Sequence, residues 1–210
     1  MCRISSQAVR VSGAGRTDAG VHAMGQVVGF RIDTAVPTDR MALALNANLP
    51  PDTRVTAVQE VGQEFHARFS ATSRRYVYLI LARQAPSALL GRYTWHLPDA
   101  LDVAGMEAAG ERLRGERDFA AWANDLREAK SSIRFMRQCS VRRSGPFIMV
   151  WVEANAFLKG MVRNIVGTLV QVGRGKRPPE DFDAITGSRD RGQAGPSAPA
   201  RGLCLVRVRY

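Results

Sequence analysis

Lysine is almost missing from this chain of 210 residues: Lys130, Lys159 and Lys176 are the only three, so arginine supplies 27 of the 30 basic side chains. Cysteine is scarce too. Cys2, Cys139 and Cys204 are odd in number, far apart and without a CxxC pair, which argues against a disulfide framework and a zinc knuckle. The histidines His22, His66 and His96 share no ligand spacing with one another or with the cysteines, so no metal site is expected. No apolar run approaches the roughly 18 residues that cross a bilayer, and the opening MCRISSQAVRV lacks the apolar stretch of a secretion signal. A cytoplasmic protein without membrane association is the expectation. Phosphate-loop spacing is also lacking. The third glycine, Gly20, comes five residues after Gly15 where GxGxxG needs three, and Gly173-Arg174-Gly175-Lys176-Arg177 lacks the Ser/Thr of a GxxxxGK[ST] loop.

What is present is an ordinary globular composition with an unusual charge. The 45% hydrophobic and 23% charged residues exclude wholesale disorder and fibrous repeats. Thirty bases against 19 acids give +11, and the pI is near 10.7. Such an excess favours a polyanionic partner, because clustered cations gain affinity by releasing counterions from phosphates. Genome composition is the competing reading of the high ratio of Arg to Lys, but it does not explain the excess of bases over acids. The charge is also directional. Residues 99–128 carry −4, whereas residues 129–179 carry +9 with Glu153 as their single acid, the pattern of a polyanion-binding face with a solvated back.

Short apolar or alternating runs at 8–12, 25–32, 53–59, 74–82, 134–143, 146–154 and 203–209 predict at least seven strands. Helices are predicted over 38–48, with Thr38 as N-cap, and over 102–114, 159–173 and 179–186. Ser144-Gly145 between two strand runs signals a hairpin, so part of the sheet is antiparallel. The Gly, Pro and Ser-rich stretch 187–202 is a loop. The fold class expected is α+β, a mixed, largely antiparallel sheet with helices packed on it.

The segment Gly13-Ala14-Gly15-Arg16-Thr17-Asp18-Ala19-Gly20 separates the first two strand runs. Three glycines in eight residues allow backbone angles closed to other residues and close approach by another molecule. Asp18 is the only acid in the first 32 residues, with Arg16 two positions away. A carboxylate kept ionised by a nearby cation is a potential nucleophile or base. An ordinary turn capped by Asp18 is the competing reading.

Residues 13–30, GAGRTDAGVHAMGQVVGF, resemble the signature of the bacterial tRNA pseudouridine synthase A family. Three further blocks agree in order: FHARFSATSRRYVY (65–78), FLKGMVRNIVGTLVQVG (157–173) and GPSAPARGLCLVRVRY (195–210). The resemblance implies a pseudouridine-synthase-like fold, two lobes flanking a central basic cleft. The lobes fall at residues 1–98, with the aspartate loop, and 99–210, with the basic segment. It implies an isomerase that attacks uridine 38, 39 or 40 of the tRNA anticodon stem-loop through Asp18, releases the uracil, and re-bonds it through carbon 5. No redox equivalent, ATP or metal enters, so no cofactor is expected, and the partner is tRNA, bound by a homodimer. A stacked base must first be extruded into a pocket.

Tyr76 matches the family's active-site tyrosine. The alternation in 74–82 independently puts Arg74, Tyr76 and Tyr78 on one face and Val77, Leu79 and Leu81 on the other. An aromatic surface beside arginine suits stacking on a flipped base, the alternative being a half-buried structural tyrosine. Met161, Val162, Ile165, Val166, Leu169 and Val170 form a helical core stripe that Arg163 interrupts. By the resemblance, Arg163 lies near the nucleophile and is expected to pair with Asp18 and keep it ionised; a solvated phosphate-binding arginine is the alternative. Arg16 is expected to contact the substrate backbone or help extrude the base. The remaining bases of 130–177 would position phosphates. Two departures stand out. Lys159-Gly160 replaces the histidines that often precede MVRN, and the strand and helix that usually precede GRTDAG are not seen, as in a fragment, a mis-assigned start or a reduced variant. A truncated, catalytically weak RNA-binding or chaperone-like member of the family is the alternative function.

Overall fold

A computed structural model describes residues 8–210; Cys2 lies outside the described residues. In chain order the elements are β1 (Val11–Gly13), β2 (His22–Ala23), β3 (Val28–Phe30), α1 (Thr38–Asn46), β4 (Ser73–Ala82), β5 (Trp95–Leu97), α2 (Val103–Glu111), β6 (Gly115–Asp118), β7 (Ile133–Ser144), β8 (Phe147–Ala154), α3 (Met161–Gly173), α4 (Asp181–Ser188) and β9 (Leu203–Arg209). The architecture is the expected α+β. Among the described residues, no helix is long and apolar enough to cross a membrane.

The described residues form two compact units: those up to Gly15 together with Val27–Ala71, and Arg16–Gln26 together with Thr72–Tyr210. In the first, β1 and β3 pair antiparallel, Val11 opposite Phe30, and α1 buries Met41 and Leu45, one turn apart on one face.

The second unit is built on a sheet ordered β2-β9-β4-β8-β7-β6, with β5 also paired to β4. β2 runs parallel to β9 and β5 parallel to β4; the other pairs are antiparallel. Side chains directly opposite one another share a face, so the register Tyr76↔Val152, Tyr78↔Val150 and Ile80↔Ile148 lines up one apolar surface. Those six side chains join Met106 of α2, Ile165, Val166 and Leu169 of α3 and Phe182 of α4 in a single buried cluster. Burial of aliphatic and aromatic side chains at roughly 1.5–3 kcal/mol each is what holds the helices to the sheet. Trp122 fills the far end, its ring 5.0 Å from Phe182 and its indole N–H donating to Thr186 Oγ1 at 3.0 Å. β6 covers only the start of β7. Farther along, Glu107 of α2 accepts a hydrogen bond from the Val141 amide, so a side chain occupies part of a strand edge that would otherwise be open.

Several expectations need correction. Residues 53–59 form no strand, because the Val55 N–H and C=O that a ladder would use are bonded to the Asn46 side chain at 2.8 and 2.9 Å. Thr38 is the first helical residue rather than the N-cap; Pro37 takes that place, in keeping with its fixed φ. The helix expected from residue 159 begins at Met161, after Gly160 at φ 75. Strands β2, β5 and β6 have no counterpart among the expected strands; at two to four residues they carry too little alternation to register. The 187–202 loop contains two single turns of 3-10 helix, Arg191–Gln193 and Ala200–Gly202.

Candidate active site

Asp18 is carried by a tight loop that the sheet holds at one end. The Asp18 carbonyl accepts the Val21 amide at 3.0 Å, which requires the chain to reverse, and Gly20 makes that reversal at φ +82, a conformation glycine adopts without strain. Immediately beyond, His22 and Ala23 pair with Cys204 and Leu205, and the Met24 amide bonds to Leu205 at 2.8 Å. Gly25 then crosses β9 so closely that a Cβ there would lie 2.2 Å from the Val206 carbonyl oxygen. The loop is thereby anchored to β9, and β9 to β4.

Arg163 comes from the first turn of α3 and pairs with Asp18, while Tyr76 comes from β4 and lies within reach of the Asp18 charge. Arg163 Nη1 donates to Asp18 Oδ2 at 2.9 Å, with the arginine side chain 22% and the aspartate side chain 42% exposed. The pair is therefore reachable from solvent on the aspartate side. Tyr76 is buried, its ring edge-on to Phe157 at 5.2 Å. Burial pushes its hydroxyl up to about 12; the Arg74 cation opposes that shift and the Asp18 charge adds to it. Tyr78 is core: its hydroxyl, also pushed up by burial, donates to the Pro199 carbonyl at 2.7 Å. Arg16 is not part of this constellation. It extends to Glu128 at 3.1 Å in an ion pair exposed on both sides. The arrangement places a partly exposed carboxylate beside a fixed cation and within electrostatic reach of a buried phenol.

The residues around Asp18 are those of the matched sequence blocks, and a comparison with known proteins extends the match to nearly the whole chain. The family model described as tRNA pseudouridine synthase matches residues 1–70 and 109–210. The chain belongs to that family. Among curated relatives named tRNA pseudouridine synthase A, that of Moorella thermoacetica is 44% identical over 208 residues, covering 99% of this chain and 85% of the relative. That of Aeromonas salmonicida is 45% identical over 210 residues, covering 100% of this chain and 78% of the relative. That of Methylobacterium nodulans is 44% identical over 209 residues, with 99% and 82% covered.

Within this pseudouridine synthase the basic segment is not the uninterrupted cationic face its sequence implies. The acidic stretch folds against it: Asp99 pairs with Arg174 at 2.5 Å, Asp125 with Lys159 at 3.7 Å and Glu107 with Arg142 at 3.9 Å. Arg177 pairs with Asp181 at 3.8 Å. Arg134 bends back to the Ile133 carbonyl, and Arg137 lies over the Phe135 ring. Among the described residues, Lys130, Arg143 and Lys176 have no acidic partner within ion-pair distance. Glu153, the one acid of the basic segment, is buried between Ser73 and Arg75; burial raises its carboxyl, but these hydrogen bonds and the nearby cations outweigh that and hold it below the usual range. No cluster of three or more His, Cys, Asp or Glu able to hold a metal occurs among the described residues.

Sequence reasoning misses the partners of Arg163 on its far side. Its Nε donates to the Ala198 carbonyl at 2.7 Å, and its own carbonyl accepts the Ala198 amide at 2.9 Å. The signal for them is the GPSAPARG block itself, whose prolines and small residues suit a segment lying flat on a helix.

Proposed function

We propose that this chain isomerises uridine to pseudouridine in the anticodon stem-loop of tRNA, at positions 38, 39 and 40, with Asp18 as the nucleophile. The observation that carries this reading is the Asp18–Arg163 pair at 2.9 Å, with the carboxylate partly open to solvent and Tyr76 beside it. The carboxylate attacks C1′ as the C1′–N1 bond breaks, the uracil turns, and the ester bond to Asp18 breaks as the C1′–C5 bond forms. The carbon 5 proton leaves and nitrogen 1 gains one, so the product is an isomer and nothing else is consumed. Arg163 keeps the carboxylate aimed, Tyr76 bounds the pocket that receives the extruded base, and Arg16, drawn away from Glu128, grips the substrate backbone. The reading calls for no metal or cofactor. The tRNA, in the cytoplasm, is bound by a homodimer.

The test is Asp18→Asn on an anticodon stem-loop transcript. Pseudouridine formation should fall below detection while binding changes less than about threefold, since amide and carboxylate have the same shape. Retained turnover would remove Asp18 from its role. Light scattering of the free and tRNA-bound protein decides the dimer.

A further inference from the structure

Asn164 follows Arg163 in α3 and is fully buried on a helix whose other buried side chains are apolar save for Thr168. A buried amide is costly unless every donor and acceptor is matched, and here each one is. Its Nδ2 donates to the Trp122 carbonyl and to Asn124 Oδ1, both at 2.8 Å. Its Oδ1 accepts from Arg191 Nη2 at 3.0 Å and from Ser197 Oγ. Arg191 closes the ring, its Nε reaching Asn124 Oδ1 at 3.2 Å and its Nη1 the Ala194 carbonyl at 3.2 Å. One turn along, the Gly195 amide donates to Thr168 Oγ1 at 2.9 Å.

These bonds converge on the segment 194–199, and that segment is what holds Arg163 by its Nε. A carbonyl on Nε restricts how the planar guanidinium can turn, and here Nη1 faces Asp18. We infer that Asn164, through its ring with Asn124, Arg191 and Ser197, is a positioning residue that clamps the 194–199 segment against α3 and so sets the angle at which Arg163 meets Asp18. Its catalytic consequence rests on the reading of Asp18 as nucleophile; the clamp itself does not. Networks of this kind act as units, so removing one member loosens the rest.

The experiment measures two things on the full chain. The first is the solvent exchange of the Arg163 Nε–H by nitrogen-15 NMR, assigned by its loss in Arg163→Lys. The second is the single-turnover rate and tRNA affinity. Asn164→Ala should accelerate Nε–H exchange at least tenfold and lower the single-turnover rate about 10- to 100-fold, with affinity within threefold. Ser197→Ala, which removes one hydrogen bond and keeps the fold, should shift both in the same direction by a smaller factor. Ile148→Val serves as the control for general core loosening and should move neither, since it lies in β8 outside the ring. Unchanged exchange in both variants overturns the inference, as does faster exchange with an unchanged turnover rate. A wild-type chain that shows the exchange contrast but makes no pseudouridine overturns the nucleophile assignment and leaves the clamp standing.

Discussion

Gly167 of α3 lies directly beneath Pro196: a Cβ on Gly167 would sit 1.7 Å from the Pro196 carbonyl oxygen. Nothing but hydrogen fits between the helix and the strap that crosses it. The close approach lets that strap run near enough to bond Arg163, Asn164 and Thr168.

Gly167→Ala must therefore lift the strap or push α3 into the core. A destabilisation of about 2–3 kcal/mol is expected, which for a chain of this size lowers the thermal midpoint by roughly 5–10 °C. Differential scanning calorimetry gives the answer. An unchanged midpoint would mean the strap yields freely, contrary to its many bonds.

Tyr76 sets a stability limit at high pH. Its hydroxyl is raised to about 12 in the fold, from an ordinary 10.0, because burial disfavours the phenolate. A pKa raised on folding contributes stability that is complete below about pH 10 and is lost as pH climbs through 10 toward 12. Tyr76→Phe keeps the ring against Phe157 and removes the titration. Denaturant midpoints compared at pH 8 and pH 11.5 should fall more steeply for the wild type, by up to ~2 kcal/mol. Tyr78 titrates in both proteins, so the difference isolates Tyr76. Parallel declines would exclude this role.

The pairing of the basic segment predicts unequal salt dependence. Replacing Lys130, Arg143 and Lys176 together by glutamine should flatten the slope of log K against log salt for tRNA binding by about one unit for each phosphate no longer neutralised. Replacing Lys159, Arg174 and Arg177 changes net charge equally, yet each of these already faces a carboxylate. Their combined effect should be less than a third as large. Equal slopes would show that the bases act as a diffuse cloud.

How much of the molecule is legible in its sequence follows a physical divide. β4, β7 and β8 are long enough for alternation to repeat several times, and α3 carries its stripe through three turns, so these elements are legible. The nearness of Asp18 and Arg163, 145 residues apart, is legible only through the matched blocks. Val55 misleads because a side chain, that of Asn46, takes the place of a neighbouring strand. The charge map misleads for a related reason. Segment sums treat each stretch as if it faced water alone, whereas Asp99, Glu107 and Asp125 face the bases of the next stretch. Asn164 is invisible because an isolated amide within an apolar helix shows no period.

The placement of β9 between β2 and β4 has a consequence for biosynthesis. The loop bearing Asp18 is translated long before the strand that anchors it, Leu203–Arg209. Until that strand emerges from the ribosome, β4 presents an open edge along Ser73–Tyr78, and the Asp18 loop has nothing to pair with. Covering the β4 edge and anchoring the Asp18 loop thus depend on one and the same strand, β9.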